Sequence, residues 1–317
     1  MREASDGSRR PLALIQDAAL ESGHDCLRPR ALLMSITPSD PPFHCETLLI
    51  VGVGLIGGAI AQHARGLKVA RTIVGLGRDA GRIRAAVDAG VIDRGVTSAA
   101  AMGPADLAIV CTPVDRIIED VMALVASKTP PRLITDAGSV KEAICEPLRS
   151  VPQFVGSHPL AGSEKSGFEH AAAVQFKDRV CVLTPSAETP HDALRRVDGF
   201  WQAIGMQTVS MPAHTHDRIL ARTSHFPHAV AYALAGLLEN GDAPYVAGGF
   251  RDTTRIAASD AGLWTSILMA NRQAVLETLR RHSEGMQRIE DALERGEAGE
   301  LRDLLAQAQR ARESLNG

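Results

Sequence analysis

Residues 47–57 read Thr47-Leu-Leu-Ile-Val51-Gly52-Val-Gly54-Leu55-Ile56-Gly57, an apolar run that passes directly into three glycines spaced as G-x-G-x-x-G. The spacing has a mechanical meaning. Gly52 lets the chain turn sharply off a strand, Gly54 lets the backbone approach a pyrophosphate closely, and Gly57 lets the following helix pack against the sheet. Main-chain amides at the start of that helix then face the phosphates. Such a turn alone is a weak sign, because glycine-rich turns also serve as plain strand-to-helix connections. Here a β-type run precedes it and residues 56–64 continue as a helix, so Gly52, Gly54, Leu55, Ile56 and Gly57 are predicted to bind a dinucleotide.

Outward from this turn, short β-branched runs alternate with helical stretches. The strands are expected at 47–53, 72–76, 107–111, 133–135, 154–156, 180–183 and 208–211, with amphipathic helices such as 114–126 between the earlier ones. That alternation predicts an α/β, Rossmann-type fold, a mostly parallel sheet covered on both faces. From His214 the strand signal almost disappears. Residues 219–239, 259–283 and 286–308 read as long helices, the last with apolar or alanine positions at Ile289, Ala292, Leu293, Leu301, Leu304 and Leu305. A dinucleotide-binding domain over 46–212 followed by an all-helical domain over 213–317 is the expected division. Residues 1–45 are rich in proline, serine and charge and are expected to form a poorly ordered extension, with Met34 an alternative start. Arg9 and Arg10 precede too short an apolar segment, followed too soon by Asp17 and Glu21, for a signal peptide.

Composition narrows the class. With 317 residues, two domains are expected, and a net charge of −3 gives no basic field for nucleic acid or an anionic membrane. The longest apolar stretch, 48–61, is broken by four glycines and too short to span a bilayer. Five cysteines without a CxxC pair suggest reduced thiols and a cytoplasmic protein. The expected partner is a small-molecule substrate.

About a hundred residues beyond the glycine turn lies Phe154-Val-Gly-Ser-His158-Pro-Leu-Ala-Gly-Ser-Glu164-Lys-Ser-Gly167. It is too glycine-rich for a helix and too polar for a buried strand, so it reads as an active-site loop. Histidines also cluster as His214 and His216, and as His225 and His228. Their spacings invite a metal, but no cysteine or carboxylate falls at a convincing distance, and no metal is expected.

At this point several ordered blocks converge: GVGLIGG at 52–58, CTPV at 111–114, TDAGSVK at 135–141, GSHPLAGSEKSG at 156–167, LTP at 183–185, HDRILARTSHFPH at 216–228 and GGFRDTTRIAASDAGLW at 248–264. From about residue 46 onward the chain resembles the prephenate and arogenate (cyclohexadienyl) dehydrogenases of tyrosine biosynthesis. The resemblance implies an oxidative decarboxylation: hydride leaves C4 of a cyclohexadienol for the nicotinamide, the 4-hydroxyl loses its proton and the ring carboxylate departs as carbon dioxide. It also implies a homodimer paired through the helical domain.

The residues make sense of that chemistry. A histidine titrating near neutrality suits the hydroxyl proton, and His158 stands at the family's catalytic histidine. Ser139 matches the serine that hydrogen-bonds the same hydroxyl, although alone it would read as a helix N-cap. Substrate carboxylates call for a guanidinium fork, and Arg255 matches the family's anchoring arginine. Arg251 and Asp252 stand where the family has a basic and an acidic residue near the pocket, with a solvated charge cluster as the alternative. The resemblance places His216 and His225 near the substrate, Glu164 at the pocket edge, and Thr112 and Pro113 beside the coenzyme. Trp264 shapes the pocket wall or packs in the core.

Coenzyme choice turns on the end of the second strand, where an acidic residue binds the ribose hydroxyls of NAD. Here the strand ends in Gly77-Arg78-Asp79, with glycine in the family's aspartate position. Arg78 can pair with a 2′-phosphate, so NADP is expected ahead of NAD, unless Asp79 slips into the ribose-binding role. Two rivals remain for function. A β-hydroxyacid dehydrogenase would want a catalytic lysine near the start of a helix in place of the His158 block. A nucleotide-sensing protein on the same fold would be favoured by loss of His158 or Arg255, and both are present.

Overall fold

The structure is a computed structural model that describes residues 43–163 and 165–316. Most of the 1–45 segment, with Met34, and Glu164 lie outside the described residues. An interior strand of the sheet is β1 (Cys45–Val51), whose side chains alternate between two cores. Leu48 and Ile50 point into one, with Ile60, Ile73 and Phe200, while Leu49 and Val51 point into the other, with Val74, Ile117 and Leu124. A strand covered on both faces needs no polar alternation, which is why β1 reads as a continuous apolar run. Leu48, Leu49 and Ile50 are each 0% exposed, and burying each stabilises the fold by roughly 1.5–3 kcal/mol.

After β1 the chain runs through α1 (Leu55–Gly66), β2 (Ala70–Leu76), α2 (Ala80–Asp88), β3 (Arg94–Val96), β4 (Leu107–Val110), α3 (Ile117–Val125), β5 (Leu133–Asp136), α4 (Glu142–Cys145), β6 (Phe154–Pro159), β7 (Val180–Thr184), α5 (His191–Ala203) and β8 (Gln207–Ser210). The strand order is β3-β2-β1-β4-β5-β6-β7-β8, parallel except where β6 meets β7. This is the Rossmann-type sheet that the sequence predicts, with the order reversing between β1 and β4. Ligands of such sheets bind at the carboxyl ends of the strands beside that reversal. β3 is absent from the expected strands because it has three residues and no apolar run.

The chain then becomes helical: α6 (Ala213–Leu220), a π turn (Ala221–His225), α7 (Phe226–Ala235), α8 (Gly248–Thr254), a 3₁₀ turn (Arg255–Ala258), α9 (Ala261–Ala270), α10 (Arg272–Glu294) and α11 (Ala298–Glu313). The expected helix 259–283 is in fact interrupted at Asn271, and the expected break at 284–285 is continuous helix. The chain stops instead at Gly296, whose φ of 70° suits a glycine and ends α10. Among the described residues no helix is long and apolar enough to cross a membrane.

Candidate active site

The glycine turn forms a cradle. Gly52 adopts φ 88°, and a Cβ there would stand 3.0 Å from the main chain of Cys111 and Thr112 at the end of β4. A Cβ on Gly57 would meet the Gly52 carbonyl oxygen at 2.2 Å, so the start of α1 seats directly against the turn. At Gly54, by contrast, a Cβ would meet nothing within 4 Å, and no side chain caps α1. Open space in front of unsatisfied helix amides is what a pyrophosphate requires. Leu55 and Ile56 begin that helix. Thr112 turns its hydroxyl to Asp120 at 2.6 Å, and Pro113 is exposed on the same edge.

His158 is not on a loop. It lies on β6, and since β6 runs parallel to β5, the residue reaches the sheet edge that also carries the glycine turn. The stretch Gly156-Ser157-His158 tolerates this buried strand because the polar groups of Ser157 are paired. Ser157 N–H donates to Asp136 Oδ1 at 2.9 Å, Trp201 Nε1 donates to Ser157 Oγ at 3.1 Å, and Lys141 Nζ donates to the Ser157 carbonyl at 2.7 Å. Lys141 also pairs with Asp136, both side chains being 0% exposed. Removing one member of such a pair alone strands a buried charge, typically at about 3–5 kcal/mol.

A chain of rings leads away from His158. Its Nδ1 is 2.8 Å from His216 Nε2, and His216 Nδ1 is 2.7 Å from Asp217 Oδ1. Asp217, on α6, in turn accepts the Lys141 and Glu142 main-chain N–H groups at 2.8 and 2.9 Å, capping α4 across the domain boundary. His225 Nδ1 lies 2.9 Å from Asn271 Nδ2, which also donates to the Asp217 carbonyl at 2.8 Å. His225 Nε2 is buried without a hydrogen-bond partner among the described residues. His216 and His225 are each 0% exposed, so they stand behind the site's surface while the partly buried His158 reaches it.

On the helical side, the His228 ring stacks on Trp264 with centroids 3.4 Å apart and planes 19° from parallel. Arg255 is close enough to press the His228 pKa down, after burial. Trp264 itself is 9% exposed and belongs to the core. Arg251 and Asp252 are exposed on α8, with Arg251 Nε donating to the Val246 carbonyl at 3.3 Å. Ser139, partly buried between β5 and α4, is not an N-cap: α4 starts at Glu142 with Lys141 in the cap position. Sequence reasoning assigned nothing to Asp136, Lys141, Asp217 or Asn271, whose burial appears only once distant segments meet.

Burial sets the charge state of the histidines. It pushes His158 well below its usual value, with His216, Lys141 and His225 adding to the effect. Burial also lowers His216 against the pull of Asp217, and brings His225 down to about 4. An unfolded histidine protonates below about pH 6.5, so the unfolded chain binds more protons and stability falls as the pH drops below that value. For His225 alone the loss is roughly 2 kcal/mol by pH 5, where carboxylates are still largely silent. Denaturant unfolding at pH 7, 6 and 5 measures it. A flat profile over that range would contradict neutral buried histidines.

Comparison with known proteins decides the family. Residues 60–210 match the family model described as prephenate dehydrogenase, nucleotide-binding domain, and residues 212–307 match prephenate dehydrogenase, dimerization domain. The chain belongs to the prephenate dehydrogenase family. It is 33% identical over 285 residues to a cyclohexadienyl dehydrogenase of Zymomonas mobilis subsp. mobilis, covering 84% of this chain and 95% of the relative. It is 32% identical to a prephenate dehydrogenase of Bacillus subtilis, covering 81% of this chain and 72% of that one. Among solved structures, prephenate dehydrogenase from A. aeolicus in complex with hydroxyphenyl propionate and NAD+ superposes with a TM-score of 0.79 at 31% identity, covering 85% of this chain and 98% of the other.

Proposed function

We propose that the protein oxidatively decarboxylates prephenate, arogenate or both, passing hydride to a nicotinamide dinucleotide. The observation that carries this reading is a half-buried histidine, His158, on the same sheet edge as a turn with open space for a pyrophosphate. A dinucleotide whose pyrophosphate is held at Gly52, Gly54 and Gly57 would supply its nicotinamide as the hydride acceptor. His158 takes the proton of the 4-hydroxyl, and Ser139 hydrogen-bonds the same oxygen. Arg255 holds a substrate carboxylate, with Arg251 and Asp252 at the rim and Trp264 as an apolar wall. His216 and His225 support the site from behind. A β-hydroxyacid dehydrogenase would need a presented lysine at a helix start. Lys141 occupies such a position, yet it is 0% exposed and consumed by Asp136. Steady-state assays with prephenate and arogenate, each with both coenzymes, test the reading, and turnover of neither substrate would overturn it.

For the coenzyme the reading is NADP ahead of NAD. Asp79 supports it, because its Oδ1 accepts the Gly81 and Arg82 N–H groups at 2.9 and 3.0 Å as the N-cap of α2. That employment draws Asp79 away from a ribose, and exposed Arg78 stands beside Gly77 with no acidic side chain between strand and turn. Changing Gly77 to Asp together with Arg78 to Ile is expected to shift the NADP-to-NAD efficiency ratio toward NAD by about 10–100-fold, the worth of one charge-assisted contact replaced by repulsion. The Ile83 side chain, whose Cδ1 would be 2.9 Å from the new Cβ, has to turn aside. Wild-type protein that is more efficient with NAD than with NADP would refute the preference while leaving the enzyme class intact.

A homodimer completes the reading. Its support is the dimerization domain matched over 212–307 and the exposed apolar side chains Leu237, Met269, Leu293 and Leu305 on the helical region.

A further inference from the structure

The hydrogen-bond partners of the buried histidines leave no freedom in where their protons sit. Asp217 Oδ1 and Oδ2 face the main-chain N–H groups of Lys141 and Glu142, which can only donate, so the carboxylate serves as acceptor throughout. His216 Nδ1, at 2.7 Å from Oδ1, therefore carries the hydrogen. A neutral imidazole has one, so His216 Nε2 is bare and accepts from His158 Nδ1 at 2.8 Å. By the same count the hydrogen of His158 is spent on Nδ1, and its Nε2 is a lone pair. The opposite result holds at Asn271. The atom it places against the Asp217 carbonyl must be the amide nitrogen, because a carbonyl only accepts, and that same atom faces His225 Nδ1. His225 Nδ1 is then bare and its hydrogen sits on Nε2, the buried atom without a hydrogen-bond partner among the described residues.

We propose that Asp217 and Asn271 are positioning residues that fix opposite tautomers on two histidines, leaving His158 with a bare Nε2 to accept a proton and His225 with its hydrogen on the buried Nε2. A hydroxyl that gives up its proton needs an acceptor for the hydrogen, which the bare His158 Nε2 supplies, while the fully buried His225 ring stands behind it against the main chain of Ser139. Asp217 also stabilises the positive charge that the His158 and His216 rings share once His158 is protonated, without itself taking the proton. The proposal rests on His158 as the base. The charged groups facing the rings are Asp217, Lys141 and Asp136 around His216, and Asp217 with the rings of His216 and His228 around His225. Asp217 and Asn271 border a cleft of about 510 Å3 whose other lining groups include Arg218, Glu142 and Glu277. His158 and His225 do not line that cleft.

The test is long-range 1H–15N correlation on 15N-histidine-labelled protein, which reports for each ring which nitrogen carries the hydrogen. Wild-type protein is expected to show a pyridine-type Nε2 on His158 and a pyrrole-type Nε2 on His225. In Asp217→Asn the fixed His158 tautomer should give way to the inverted form or a mixture. kcat should fall by about 100-fold or more, with coenzyme affinity unchanged. In Asn271→Asp, a carboxylate that only accepts should move the His225 hydrogen to Nδ1. A wild-type His158 carrying its hydrogen on Nε2, or an Asp217→Asn protein that keeps the wild-type tautomer, would overturn the proposal. The tautomers are read without turnover, so a failure of His158 as the base, seen as retained turnover in His158→Asn, is a separate result.

Discussion

Replacing His158 with Asn is expected to lower kcat by about two to four orders of magnitude, the usual worth of general acid–base help, while folding and coenzyme binding persist. The expectation follows from the ring's place in the structure. On β6 the backbone is fixed by pairing with β5 and β7, so the substitution changes a side chain on a rigid element rather than a mobile loop. Asparagine can keep a polar contact to His216, but it offers no base to a hydroxyl of high pKa. Stopped-flow and steady-state kinetics separate hydride transfer from product release, and titration of the coenzyme by fluorescence tests the cradle independently. Near-normal turnover in a folded variant would remove His158 from the chemistry. The same depressed pKa predicts the shape of the acid limb: the base is already neutral at pH 7, and its activity is lost only as the pH falls through the lowered folded value.

Arg255→Ala is expected to act on a different constant. Removing a charge-assisted hydrogen bond to a carboxylate costs about 1.5–3 kcal/mol, which corresponds to a rise in the substrate KM of roughly 10–150-fold. Because that contact exists in the ground state as well as in the transition state, kcat should move far less. Arg255 opens the 3₁₀ turn after α8 and lies near the stacked pair His228 and Trp264, so the variant also frees His228 from a neighbouring cation. A rise in the His228 pKa, followed by NMR, accompanies the kinetic change. A loss that falls wholly on kcat would show that the arginine does not anchor the substrate.

How much of this could be read from the chain depends on the range of the forces involved. The cofactor turn was legible because Gly52, Gly54 and Gly57 answer to constraints within a few residues, and the alternation of cores along β1 follows from a strand's period of two. His158 was found as a candidate but misplaced on a loop, since the polarity of residues 156–158 is compensated by Asp136, Lys141 and Trp201, which are far away in sequence. Asp217 and Asn271 escaped notice for the same reason. A polar residue on a helix ordinarily reads as a solvent-facing position, and only assembly shows Asp217 capping α4 and Asn271 interrupting the expected helix 259–283. The end of α10 at Gly296 was missed because Gly285, inside the helix, offered an equally good stop signal.

The π turn at Ala221–His225 carries one further consequence, for insertions and deletions. In a regular α-helix each residue advances the side chains by roughly 100°, so a single wide turn resets the angular phase of everything that follows it. His216 lies before the turn, whereas His225 closes it and His228 comes after. Losing one residue between 221 and 225 would leave composition and helix content almost untouched, yet it would rotate His228 off Trp264 and carry His225 away from Asn271. The two helical segments behave like gears keyed at this turn, and for this protein the count of residues between the histidines is as much a part of the site as the histidines themselves.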